Sequence, residues 1–87
     1  MNNNSKLRPL YLAKILYEQT DEEHYLTTVQ LINILEEKYG ISAHRQTIKS
    51  EIELLRKFGF EIQEIKSVPH SIHYALIFQH QNHLQVN

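Results

Sequence analysis

Within residues 27–42 the chain starts a helix, stops it and prepares another, and few folds accommodate so abrupt a series of signals. Thr27 followed by Gln30 makes a capping-box pair, in which hydroxyl and amide each satisfy an otherwise orphan backbone donor. Leu31, Ile32, Leu35 and Tyr39 then recur at the spacings of three and four that mark one helical face. Gly40 supplies the left-handed residue that helix ends favour. Ile41 is apolar within the turn, and Ser42 is expected to cap a further helix running to Phe58. Ile48, Ile52 and Leu55 form its inward stripe, with Leu54 and Phe58 widening it, and Gly59 ends it. A short glycine-bearing turn between two helices is the helix-turn-helix arrangement, whose second helix can enter a DNA major groove.

The flanking segments complete a layout. Residues 1–7 read as a flexible, Asn-rich arm, and Pro9 suits a first helical turn. Residues 10–18 read as a helix whose only polar positions are Lys14 and Glu18. A helix apolar nearly all round packs on two sides. Either a second partner covers Leu10, Tyr11, Ile15 and Tyr17, or the three-helix core and a short strand at Tyr25 and Leu26 do so. From Phe60 the period changes to two: Phe60 and Ile62 alternate with Glu61 and Gln63. Residues 66–71 read as a turn. Ile72, Tyr74, Leu76 and Phe78 then alternate with His73, Ala75 and Ile77, and residues 79–87 are a polar tail. The expected fold is α+β, a winged helix-turn-helix over residues 8–78 with three helices and a small antiparallel β-ribbon wing.

Several function classes fall away. A chain of 87 residues suits one small domain. Cysteine is absent, which removes disulfides, thiolate metal sites and thiol nucleophiles. Gly40 and Gly59 are the sole glycines, so there is no phosphate-cradling loop. Ser5, Ser42 and Ser50 lack a histidine–acid pair at usable spacing, and no enzyme activity is expected. No apolar run approaches the ~20 residues of a membrane span, and no basic segment leads into an apolar one at the amino terminus; a cytoplasmic protein without a membrane partner is the plain expectation. His24, His44, His70, His73, His80 and His83 invite a metal. The three-residue step from His70 to His73, however, puts two imidazoles on opposite faces of a strand, and no acidic cluster completes a set. No metal or cofactor is expected. Glu18, Asp21, Glu22 and Glu23 read as a solvated loop, and the five tyrosines, Tyr11, Tyr17, Tyr25, Tyr39 and Tyr74, mostly as core with wet hydroxyls.

Net charge, −1 overall, hides a gradient. Residues 1–17 carry +3, residues 18–41 carry −5, residues 42–58 carry +2 and residues 59–87 carry −1. The local sign governs a binding surface. Ala43, His44, Arg45, Gln46, Thr47, Lys49 and Ser50 lie outward near the start of the third helix, with no acid until Glu51. Arg45 can fork onto guanine, Gln46 can bond an adenine edge, and Thr47 can offer a methyl to thymine. Lys49, Ser50 and Ser42 suit phosphates, with Thr27 and Thr28 touching backbone at the start of the second helix. Protonation of His44 would add positive charge there, and Lys66 stands in the wing. Two helices joined by a tight turn also make a plain helical hairpin, and a winged helix can serve as a protein-contact module; the near-neutral charge and apolar first helix support that alternative.

A family resemblance rests on these residues. It is carried by Leu12-Ala13-Lys14-Ile15-Leu16, by Leu26-Thr27 and by Ile34-Leu35-Glu36-Glu37-Lys38-Tyr39-Gly40-Ile41-Ser42. It continues through Arg45-Gln46-Thr47-Ile48, Glu51-Ile52-Glu53-Leu54-Leu55 and Phe58-Gly59-Phe60-Glu61-Ile62. Over residues 6–77 the chain resembles the amino-terminal winged-helix domain of WYL-type transcriptional regulators, related to DeoR-like and biotin-repressor-like heads. Such regulators typically read Arg-Lys-Thr-Val-Tyr-Arg-Asp-Ile in the recognition helix. Arg45, Thr47 and Ile48 fit, while Gln46, Lys49, Ser50 and Glu51 depart from it, and Val68-Pro69-His70 replaces the wing glycines. The resemblance implies double-stranded DNA as partner without implying an operator. It also implies an effector-sensing domain after the winged helix, so the chain is either the head of a longer protein or a free-standing small regulator. A homodimer would set two half-sites ~34–36 Å apart, though the sequence pattern displays no self-complementary surface.

Overall fold

In the computed structural model, which describes residues 4–67 and 71–77, helix begins earlier than the apolar run suggests. Asn4–Leu7 form a 3-10 helix that leads straight into α1, Arg8–Gln19, so the arm expected over residues 1–7 is helical from Asn4 onward. Pro9 lies in the first turn of α1, where a missing amide forfeits no hydrogen bond. There follow β1 (Leu26–Thr27), α2 (Thr28–Tyr39), α3 (Arg45–Phe58), β2 (Ile62–Ser67) and β3 (Ser71–Leu76). The fold is α+β, three α-helices with a three-stranded antiparallel sheet, and is compatible with a winged helix.

The sheet order is β1-β3-β2, so the last strand in sequence is central. Leu26 and Thr27 pair with Tyr74 and His73, and β2 pairs with β3 from Ile62↔Leu76 to Ser67↔Ser71. The ribbon therefore runs further than its sequence alternation, and Lys66, expected in a turn, lies on a strand. Val68, Pro69 and His70 of that turn lie outside the described residues, as do Phe78 and the tail. Alternation also fails at the end of β3, where Tyr74, Ala75 and Leu76 are all buried. A central strand loses both edges, and β3 packs against α1 as well.

Leu12, Ile15 and Leu16 of α1, Leu31 and Leu35 of α2, and Ile48, Ile52 and Leu55 of α3 meet Ile62, Tyr74 and Leu76 in one core. Each such side chain is worth about 1.5–3 kcal/mol when fully buried. Thr20 is the buried polar residue that fastens the sheet to the helices: its hydroxyl donates to the Leu16 carbonyl at 2.6 Å and accepts the Leu76 amide at 2.9 Å. Tyr11 and Tyr39 stack at 4.3 Å between α1 and the end of α2. Two expectations of burial are corrected. Leu54 and Phe58 do not widen the inward stripe of α3; they are 53% and 81% exposed. They follow Glu51 at spacings of three and seven, on a flank beside the stripe. Tyr17 is likewise no core residue, since it lies on the outer side of α1.

The boundary between α2 and α3 is corrected too. Gly40 ends α2 as expected, in the left-handed region at φ 66°, with its amide and that of Ile41 closing on the last turn. Ser42 does not cap α3. The helix starts at Arg45, and His44 stands at the cap without a side-chain hydrogen bond. Ile41 is buried and Ala43 packs on the core, while Ser42 and His44 between and after them are exposed. Docking alternate residues requires extended backbone, which delays the helix.

Candidate nucleic-acid interface

Arg8 ties the start of α1 to α3 and to the turn before it. Its Nε donates to both carboxylate oxygens of Glu51, at 3.1 and 3.0 Å, and its Nη1 to the Ser42 carbonyl at 2.9 Å. The start of α1 is thereby tied to the turn and to the middle of α3. Glu51, the first acid after the basic stretch, points at Arg8 and away from the outward face. Burial pushes its carboxyl above the ordinary range, against the downward pull of the Arg8 guanidinium. Further along, Arg56 donates to the Ile62 carbonyl at 3.0 Å and pairs with Glu53 at 2.6 Å and Glu64 at 3.4 Å, tying α3 to β2. Two of the basic residues counted by sequence are thus internal ties.

The other cations of α3 are differently placed. His44, Arg45, Gln46, Lys49 and Ser50 are exposed, and Thr47 is half-buried. Among the described residues, neither Arg45 nor Lys49 forms a salt bridge. Both border a concavity of about 390 Å³ together with Gln46, with Thr27, Thr28 and Val29 at the start of α2, and with Ser71, Ile72 and Tyr74 of β3. Thr27 closes β1 and caps α2 at once. Its hydroxyl accepts the Gln30 amide at 3.1 Å, and its own amide donates to the Gln30 side chain at 2.8 Å. That reciprocal cap leaves the Thr28 and Val29 amides among the donors that a helix start cannot satisfy internally.

The structure brings Thr27, Thr28, Arg45, Gln46 and Lys49 to one groove. Lys66 is exposed on β2 opposite Ile72, and residues directly opposite in an antiparallel pair share a face. Lys66 therefore stands on the groove side of the ribbon. Ser50 lies along the outward face, its hydroxyl donating to the Thr47 carbonyl at 3.1 Å. Thr47 itself falls on the other flank, four residues before Glu51. Ser42 is exposed in the turn rather than at the helix start. Sequence reasoning missed Val29, Ser71, Ile72 and Tyr74. Its one available clue was a strand ending directly on a helix cap, which obliges some other strand to lie beside the start of α2. Tyr74 forms the groove's closed side; burial raises its phenol above the ordinary range, Glu64 adds to that, and a hydrogen bond with Thr28 opposes it.

Comparison with protein families, curated proteins and solved structures returns no match. Among the described residues no three His, Cys, Asp or Glu gather to hold a metal ion, and no helix is long and apolar enough to cross a membrane.

Proposed function

We propose that the chain binds double-stranded DNA in a sequence-dependent way through α3, as a transcriptional regulator or the DNA-binding head of one. The observation that carries this reading is the shared groove: two cations without an ion-pair partner among the described residues, Arg45 and Lys49, flank Gln46 and face the start of α2. A major groove ~12 Å wide admits one helix with its side chains. With the first turns of α3 inserted, Arg45 and Gln46 meet base edges, Arg45 as a bidentate donor to guanine and Gln46 to adenine. Lys49 and Ser50 follow on the outward face and meet the adjoining phosphates. The Thr28 and Val29 amides with the Thr27 cap offer a phosphate the partial positive charge of a helix start. Lys66 reaches the backbone from the ribbon side.

Titration of labelled duplex DNA against salt tests this. A head making ~4–6 phosphate contacts loses affinity with a log–log slope near −4 to −5. Absence of any DNA titration at low salt would sink the proposal. It would favour the second reading, a protein-contact module, for which the exposed Leu54 and Phe58 on the same helix are the supporting observation.

A further inference from the structure

We infer that the outer edge of β2 pairs antiparallel with the same edge of a second copy, about a two-fold axis at Ile65, so that Glu64 of each copy lies opposite Lys66 of the other. The order β1-β3-β2 leaves one side of β2 without a strand. Which backbone groups point that way follows from the ladder. The Ile77 amide donates to the Glu61 carbonyl at 2.9 Å, and hydrogen-bonded pairs alternate along an antiparallel ladder. Gln63 and Ile65 therefore bond β3, while Ile62, Glu64 and Lys66 turn their amides and carbonyls outward. Two other contacts agree with this phase. Arg56 Nε donates to the outward Ile62 carbonyl at 3.0 Å, and the Leu76 amide, opposite Ile62 and aimed away from β2, donates to Thr20. Glu64, Ile65 and Lys66 are exposed, and among the described residues no hydrogen bond takes up the outward backbone groups of Glu64 and Lys66.

Charge and register decide the occupant. An open edge is a template for another strand, and a lysine on it ordinarily repels one. Here the acid two residues before Lys66 reverses that in a single register. Centred on Ile65, the two-fold sets Glu64 opposite Lys66 of the second copy and repeats the contact, as an isologous interface demands. Each such pair exchanges both backbone bonds. Opposite charges directly across a ladder are favourable and like charges unfavourable. Centring on Glu64 or on Lys66 would oppose like charges, and centring on Gln63 would need the Ile62 carbonyl that Arg56 holds. On the other face Ile65, 47% exposed, meets its own copy across a non-hydrogen-bonded pair, where side chains stand closest. Lys66 forms no salt bridge among the described residues. Glu64 reaches Arg56 at 3.4 Å, but Arg56 has Glu53 at 2.6 Å, so the Glu64 carboxylate keeps an acceptor site for the lysine. Arg56 joins α3 to β2 at Ile62, three residues or about 10 Å from the axis. The reversed copy therefore carries its own α3 to the opposite end of the joined ladder.

Lys66 also enters the DNA reading, but the edge contact does not rest on that reading and is tested without DNA. So short a ladder falls below the ~1,200 Å² of stable specific interfaces, and the dimer dissociates at roughly 100 µM. Sedimentation velocity on the full chain, over a concentration series spanning that value, should show a monomer–dimer boundary that weakens with added salt. Glu64→Lys and Lys66→Glu should each weaken self-association at least ~tenfold. An equimolar mixture of those two variants should associate as the parent does, because every opposed pair is then unlike. The chain has no cysteine, so Ile65→Cys introduces a lone thiol whose Cα lies about 4.5 Å from that of its copy, within disulfide reach. Gln63→Cys places its thiol on the same face but about 13 Å from its copy along the ladder. Under mild oxidation Ile65→Cys should form a disulfide dimer at least ~tenfold faster than Gln63→Cys. A monomer at every concentration up to ~1 mM would overturn the inference. So would a mixture that stays monomeric, equal oxidation of the two cysteine variants, or growth beyond a dimer, which signals a contact other than β2 on β2.

Discussion

Arg45 and Lys49 border the same groove and should nevertheless fail differently when removed. Arg45→Ala is expected to cost ~1–3 kcal/mol of DNA affinity and to relax preference at one base position, whereas Lys49→Ala should weaken all sequences alike and reduce the salt slope by about 1. Binding selections on randomised duplexes separate the two; parent-like affinity of Arg45→Ala would withdraw its assignment to a base. The pair behind them makes a stability prediction. Glu51 has a raised carboxyl in the folded chain, so its contribution is full below its ordinary value of 4.5 and is lost as pH rises through the raised one. Arg8→Ala leaves that carboxylate, 13% exposed, without its guanidinium, and should cost ~1–3 kcal/mol at neutral pH. Denaturation at pH 4 should show a smaller deficit, because protonation removes the stranded charge. Glu51→Gln should be nearly neutral at pH 7. His24 runs through a different window. Asp21 beside it, 2.8 Å away, raises its imidazole above 6.5, so the pair's contribution is present below 6.5 and fades as pH climbs past the raised value. In NMR titrations Asp21→Asn should bring His24 back down towards 6.5.

At the level of elements, the turn between α2 and α3 is the sensitive joint. Gly40 sits at φ 66° with no atom within 4 Å of where a Cβ would stand, so Gly40→Ala is penalised by backbone conformation alone. About 1 kcal/mol is expected, read as a lower denaturation midpoint with an unchanged slope. Thr20→Val strands the Leu76 amide under the end of α1 and should cost about 1–3 kcal/mol. The same joint shows what a sequence can carry. The capping box of Thr27 and Gln30, the stop at Gly40 and the stripe of Ile48, Ile52 and Leu55 are local signals, and each stands in the structure as read. Ser42 misled because its residue type suits a cap, while the decisive fact, that Ile41 and Ala43 both dock on the core, is tertiary. Leu54 and Phe58 misled because apolarity does not say which flank of a helix a neighbouring element covers.

For the molecule as a whole, three helices followed by strands were legible from the change of period at Phe60, and the α3 side of the groove from its run of polar residues without an acid. Its far wall was not. Ser71, Ile72 and Tyr74 arrive there only because β1 pairs with β3, more than forty positions away in sequence, and the strand that ends on the α2 cap does not say which strand will lie beside it. Arg8 and Arg56 were equally opaque: a sequence counts their charge, but only packing reveals that it is spent internally. The strand order has a temporal meaning as well. Because β3 holds the middle of the sheet and is made after α1, α2 and α3, a nascent chain on the ribosome has these three helical segments in hand while β1 and β2 still lack the strand between them. A stop codon before Ser71 would leave two bare strand edges and remove the wall on which Tyr74 stands, so the sheet closes only once β3 has left the ribosome.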